Sequence, residues 1–299
     1  MAIPLIIRSA FMKNTSLGLP GLSAVRAFSS PGGPTPFTTL SVSQPATAVT
    51  HVELHRPEKR NAMNKAFCRE MVECFTQIAG DPDCRVVVSG AGKVFTAGVD
   101  FIDMASEVLQ AEEDDMARIS WNMRRIIAKY QETFTVFCNK TVKACHVITC
   151  VLLGVDLITA CDICLCTQDA WFQVKEVDIG LAADVGTLQR QPKVIGSRSW
   201  LGQRRKMYTD EAKETVYFPD KEALMAGALE MAGEIAGHSP VAVQGTKVNL
   251  IYSRHHSGAE GLNYMGTWNM SMLQKDDVMK SAVASMEKKS PKTITFSKL

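Results

Sequence analysis

Apolar positions along this chain fall into short alternating runs and helical stripes, which predicts strands followed by helices from Val49 onward. Val49 to Leu54 alternates and is rich in β-branched residues, so it reads as a strand. Asn64 suits the cap of a helix whose apolar face carries Phe67, Met71, Phe75 and Ile78, at spacings of four, four and three. Arg85 to Ser89 is a short, mostly apolar strand closed by the Gly90-Ala91-Gly92 turn, and Asp115 to Phe134 is a charged amphipathic helix. The twenty residues from Val147 to Cys166 are almost wholly apolar and long enough to cross a membrane. Asp156 and Asp162 argue against a span, because a carboxylate in hydrocarbon is costly. A buried strand, a turn, a helix near Asp156 and a second strand parse the segment better. Beyond Pro219 the pattern turns helical: Leu224, Ala228 and Met231 share a face, and Ser239-Pro240 suits an N-cap and first turn. Strands followed by helices, repeated, imply an α/β core with a helical C-terminal region.

At 299 residues the chain holds one large domain plus an appendage. The Pro-, Gly-, Ser- and Thr-rich stretch 30–48 marks the boundary, giving a leader and linker over 1–45, a core over 46–218 and a helical region over 219–299. An apolar content of 46% with 7% aromatics suits a core rich in Ala, Val, Leu and Met. The net charge of +2, with no long basic run, gives no case for a nucleic-acid partner. Nine cysteines show no secreted disulfide pattern, and the odd count suits a reducing compartment. Cys161, Cys164 and Cys166 leave a metal reading open, against the alternative that Asp162 to Thr167 is a buried strand with cysteine as a small hydrophobe.

Both ends read as addresses. No acidic residue precedes Glu53, while Arg8, Lys13 and Arg26 punctuate a Ser- and Ala-containing, partly apolar stretch. That composition suits a mitochondrial transit peptide, with Arg26-Ala27-Phe28-Ser29-Ser30 as a processing site. Ser297-Lys298-Leu299 is a C-terminal peroxisomal signal. The expected partners therefore include import receptors of both organelles.

The chemistry concentrates between Phe172 and Arg190, where Glu176 and Asp184 stand eight residues apart in an apolar, glycine-punctuated segment. Carboxylates in such surroundings lose solvation, and their pKa values rise toward the range useful for moving protons. This segment resembles the enoyl-CoA hydratase/isomerase (crotonase) family and is specific to its diene-isomerising branch. The runs Arg56-Pro57-Glu58-Lys59-Arg60-Asn61-Ala62-Met63-Asn64 and Gly90-Ala91-Gly92-Lys93-Val94-Phe95-Thr96-Ala97-Gly98-Val99-Asp100 resemble signals of the whole family. The tail Trp268-Asn269-Met270-Ser271-Met272-Leu273-Gln274 extends the resemblance, which spans Thr50 to Leu299.

The resemblance implies a spiral of ββα units, an acyl-CoA substrate, no cofactor, and trimers that pair into hexamers through the C-terminal helices. It implies that Glu176 and Asp184 shuttle protons between C2 and C6 of a 3,5-dienoyl-CoA, giving the 2,4-diene, with Asp156 orienting or tuning the site. Val99 would donate its N–H to the thioester oxygen, with Ala97, Gly98, Asp100 and Phe101 lining the acyl-CoA site. The second donor maps to Leu153, in a turn where the family carries several glycines and this chain reads Val147-Ile148-Thr149-Cys150-Val151-Leu152-Leu153-Gly154-Val155-Asp156-Leu157. A left-handed turn there would cost leucine about 1–2 kcal/mol, and its side chain would fill the thioester's space. Thr141 replaces the usual proline, and the stretches near Trp200–Arg205 and Glu214–Tyr217 are shorter than in relatives. Three readings stay open: an active diene isomerase, an impaired acyl-CoA-binding paralog, and a hydratase, the last disfavoured by Asp156 and Asp184.

Overall fold

A computed structural model describes residues 37–81, 83–104, 115–140, 143–151, 153–196, 206–209, 216–273, 276–290 and 293–299. Residues 1–36 of the N-terminal stretch, Thr141, Leu152 and the stretch Trp200–Arg205 lie outside them.

The chain opens with strand β1 (Leu40–Ala46), antiparallel to β2 (Val49–Leu54). The sheet thus begins inside the stretch that composition assigns to a linker. β1 is an edge strand, mostly exposed and with only Leu40 buried, so its hydrophobic signal is weak. Helix α1 (Lys65–Ile78) starts where expected: the Asn64 side chain accepts from Phe67 N at 2.9 Å, and Phe67, Met71, Phe75 and Ile78 are all buried. Strand β3 (Arg85–Gly90) runs parallel to β2 and is buried throughout. Its alternation is hidden in the sequence because both faces are covered. Val86 and Val88 join the main apolar cluster with Phe67 and Phe75, while Val87 joins Val49, Leu165 and Leu224 on the other face.

Helix α2 (Met116–Lys140) runs six residues beyond the predicted end. Strand β4 (Lys143–Val151), helix α3 (Leu153–Thr159) and strand β5 (Ile163–Gln173) resolve the long apolar segment as strand, helix, strand. β3, β4 and β5 are mutually parallel. Cys161 and Cys166 are buried, with Cys161 Sγ donating to Leu157 O and Cys164 Sγ to Ile158 O, as cysteines do when acting as small core residues. A 3₁₀ turn (Glu176–Ile179) leads to helix α4 (Thr187–Ile195). Strands β6 (Met207–Tyr208) and β7 (Val216–Phe218) both pair with β5.

Helix α5 (Lys221–Ala236), capped by Asp220, lays Leu224, Ala228 and Ala232 on the second face of the sheet. Helix α6 (Pro240–Ser253) has Ser239 at its N-cap and Pro240 at its first position, as the sequence predicts. Helices α7 (Gly258–Met272) and α8 (Asp276–Met286) complete the C-terminal region, and α7 buries no residue. Among the described residues no helix is long and apolar enough to cross a membrane.

Candidate active site

Residues from the two glycine- and arginine-containing runs are tied into one knot. Asn61, 2% exposed and at φ 54°, accepts from Arg56 N and donates to the carbonyls of Ala91, Val94 and Phe95 at 2.8–3.0 Å. Buried Thr96 donates to Asn61 O at 2.7 Å and accepts from Gly98 N at 3.0 Å. Both Arg56 Nη atoms lie 3.1 Å from Asp100 Oδ2. Asp100, expected to line the ligand site, thus commits its charge to the scaffold. Gly98 sits at φ 90°, which L side chains rarely adopt.

The knot leaves one amide over. Ala97 N donates to Arg60 O, Gly98 N to Thr96, and Asp100 N to Met63 O. Val99 N–H has no acceptor among the described residues, so it stands available to a substrate oxygen. Phe101, beside it, is half exposed. Asn61, Thr96 and Arg56 were not singled out as site-holding residues in the sequence, although a polar Asn within an otherwise turn-like run was a usable signal.

The acids divide by burial. Asp156, on α3, is fully buried; its Oδ1 accepts from Thr187 N at 2.6 Å and lies 3.9 Å from Arg190 Nη2. Burial pushes its pKa up to about 6, against the opposing pull of Thr187 and Arg190. Glu176, first residue of the 3₁₀ turn, is 8% exposed. Burial raises its pKa to about 7, and the negative charges of Asp156 and Asp184 add to the rise. Glu176 Oε2 and Asp156 Oδ2 are buried without a hydrogen-bond partner among the described residues. Asp184 departs from expectation: it is exposed, because residues 181–184 form a surface coil between the 3₁₀ turn and α4. Its charge still reaches both buried acids, so the three carboxylates form one electrostatic group.

Leu153 also departs from expectation. It is the first residue of α3, in right-handed helical backbone, so the left-handed strain anticipated there is absent. Its side chain, 6% exposed, packs into the main apolar cluster. The first amides of a helix lack intrahelical acceptors, so Leu153 N–H remains a donor despite the missing glycines.

Sheet, helices and grouped carboxylates define an α/β protein equipped for acid–base chemistry. Residues 44–294 match the family model "Enoyl-CoA hydratase/isomerase", and the chain belongs to that family. It is 58% identical over 274 residues to the mitochondrial Delta(3,5)-Delta(2,4)-dienoyl-CoA isomerase of Rattus norvegicus, covering 88% of this chain and 84% of the rat protein. The peroxisomal protein of the same name from Arabidopsis thaliana is 37% identical, covering 88% of this chain and 98% of the plant protein. The fold is similar to that of an enoyl-CoA hydratase from Bacillus anthracis, with a TM-score of 0.75 at 22% identity, covering 85% of this chain and 98% of the other. This is the crotonase-like α/β fold expected from the sequence.

Proposed function

We propose that this chain isomerises 3,5-dienoyl-CoA to 2,4-dienoyl-CoA by carboxylate-mediated proton transfer, in the β-oxidation of unsaturated fatty acids. The observation that carries the reading is Glu176, a buried acid with pKa near 7 and a free oxygen, beside a second acid, Asp184. A group titrating near neutrality can both take and return a proton. One carboxylate removes a C2 proton, and the electron pair delocalises onto the thioester oxygen, where Val99 N–H and Leu153 N–H supply hydrogen bonds, and through the diene as far as C6. The other carboxylate protonates C6, and the double bonds settle at C2 and C4. Asp156 tunes the pair through its charge. The exposed apolar neighbours Val177, Leu181 and Leu188 suit contact with an acyl chain.

The test is turnover of a 3,5-dienoyl-CoA by the purified chain, followed by the absorbance of the conjugated thioester, with acyl-CoA binding measured in parallel. Binding without turnover would leave the impaired paralog; hydration of a 2-enoyl-CoA instead would make it a hydratase.

The chain works as a homo-oligomer, a trimer or a pair of trimers. This is supported by apolar side chains exposed on α7 and α8, among them Leu262, Met270, Met279 and Met286, which an interface between copies would cover. Light scattering at known concentration tests it, and a monomer would end this reading. The working places are the mitochondrial matrix and the peroxisome, read from the acid-free leader and Ser297-Lys298-Leu299 and supported by the compartments in the names of the rat and plant relatives. Leu299 is half exposed, with its amide donating to Asp83 Oδ1 at 3.2 Å. Removing the leader should abolish mitochondrial import, and masking the Leu299 carboxylate should abolish peroxisomal import. A full-length protein that stays cytosolic would refute both.

A further inference from the structure

We infer that Arg190, assisted by Gln131, is the positioning residue that holds Asp184 for catalysis. The inference rests on the proton-shuttle reading above. An acid in a surface coil has no defined place unless the backbone around it is held, and a misplacement near 1 Å can cost about 10²-fold in rate. Residues 184–187 are held at three successive points. Gln131 Nε2, from α2, donates to Asp184 O at 2.7 Å. Arg190 Nη2, from α4, donates to Val185 O at 3.0 Å. Thr187 N donates to Asp156 Oδ1 at 2.6 Å, which caps α4 in place of its own N-cap residue, Gly186, which has no side chain to offer.

Arg190 is the hub of this arrangement. The same Nη2 that holds Val185 lies 3.5 Å from Asp156 O and 3.9 Å from Asp156 Oδ1. One guanidinium therefore links α3, the buried carboxylate and the carbonyl next to Asp184. The sequence makes room for it. Gly186 sits at φ 131°, and a Cβ there would lie 2.0 Å from Arg190 Nη2 and 2.3 Å from Cζ. Any side chain at 186 would displace the guanidinium. Lysine at 190 could keep the charge, but its single ammonium lacks the planar fork that serves several acceptors at once.

The experiment compares wild type with Arg190→Lys, Arg190→Ala and Gln131→Leu for kcat, KM and amide exchange. Arg190→Ala is expected to lower kcat by about 10–100-fold with KM within twofold, and millimolar guanidinium should restore part of the loss. Arg190→Lys should remain impaired, and Gln131→Leu should show a smaller kcat loss with KM unchanged. Exchange at Val185 to Thr187 should quicken in all three variants while the sheet amides stay protected. Wild-type kcat in Arg190→Lys and Gln131→Leu, or a raised KM at constant kcat, would overturn the inference. If the wild type turns over no diene, the shuttle reading fails, and exchange then judges the anchoring alone: unaltered exchange at Thr187 in Arg190→Lys would overturn that too.

Discussion

Met63 and Val99 lie side by side in a parallel bridge, with Met63 N donating to Gly98 O at 2.7 Å and Met63 O accepting from Asp100 N at 2.9 Å. In such a bridge the partner contributes the carbonyl before it and the amide after it, so Val99 turns its own N–H away from Met63. The free donor is a product of the pairing rather than of valine.

Disturbing that geometry should therefore disturb catalysis without touching any acid. Gly98→Ala places a Cβ on a residue at φ 90° and should lower kcat by about 10²-fold or more, the usual effect of a lost oxyanion donor. Thr96→Val removes the acceptor of Gly98 N and should cost about 1–3 kcal/mol of stability. Kinetics and denaturant unfolding of both variants check this. Full activity in Gly98→Ala would show that the turn tolerates rearrangement.

Amide replacement tests the acids directly. Glu176→Gln and Asp184→Asn should each cut turnover by about 10²–10⁴-fold. Acyl-CoA affinity, measured by calorimetry, should barely move. If either variant turns over as fast as wild type, that acid is not in the shuttle.

The raised pKa of Glu176 has a stability counterpart. Between its ordinary value of 4.5 and about 7, the folded chain holds a proton that the unfolded chain has lost. The associated stability is present below pH 4.5 and disappears as pH rises through 7. Glu176→Gln escapes that penalty, so it should match wild type near pH 4 and exceed it by up to about 3 kcal/mol at pH 8. Unfolding curves at both pH values decide; a constant offset would mean the carboxyl is not desolvated. In turnover, wild-type kcat should climb with pH through 7 if Glu176 takes the C2 proton and fall through 7 if it delivers the proton to C6.

For Leu153 the expectation reverses what the missing glycines suggest. The side chain fills core space, so Leu153→Ala should cost about 2–5 kcal/mol of stability and bring no gain in rate. A faster Leu153→Ala enzyme would show that leucine does crowd the ligand.

The sequence disclosed elements wherever one-sided burial wrote a period into it. α1 was legible from Phe67, Met71 and Phe75, and α6 from Ser239-Pro240. β1 was not, because an edge strand with one buried residue carries almost no pattern. Among the proposed site residues, Glu176 stood out as an acid in apolar surroundings, and the fold buries it. The exposure of Asp184 and the helical start at Leu153 depend on where the chain turns after Ile179 and Val151. Short-range composition does not encode those turns. The knot around Asn61 was hidden for another reason: its acceptors, at Ala91 to Phe95, are thirty or more residues away.

The N-terminal edge of the fold carries its own consequence. Glu70, buried on α1, receives the amides and hydroxyls of Thr38 and Thr39 at 2.7–3.1 Å. Burial alone would raise its pKa, but those hydrogen bonds outweigh it and hold the carboxyl below its ordinary value. Trimming past Thr39 would strand a charge inside the protein. A cut near Phe28 would spare the clasp, whereas a cut at residue 45 would remove the clasp and most of β1. How much of the N-terminal stretch the fold can lose is set by a glutamate more than thirty residues downstream of the clasp it closes.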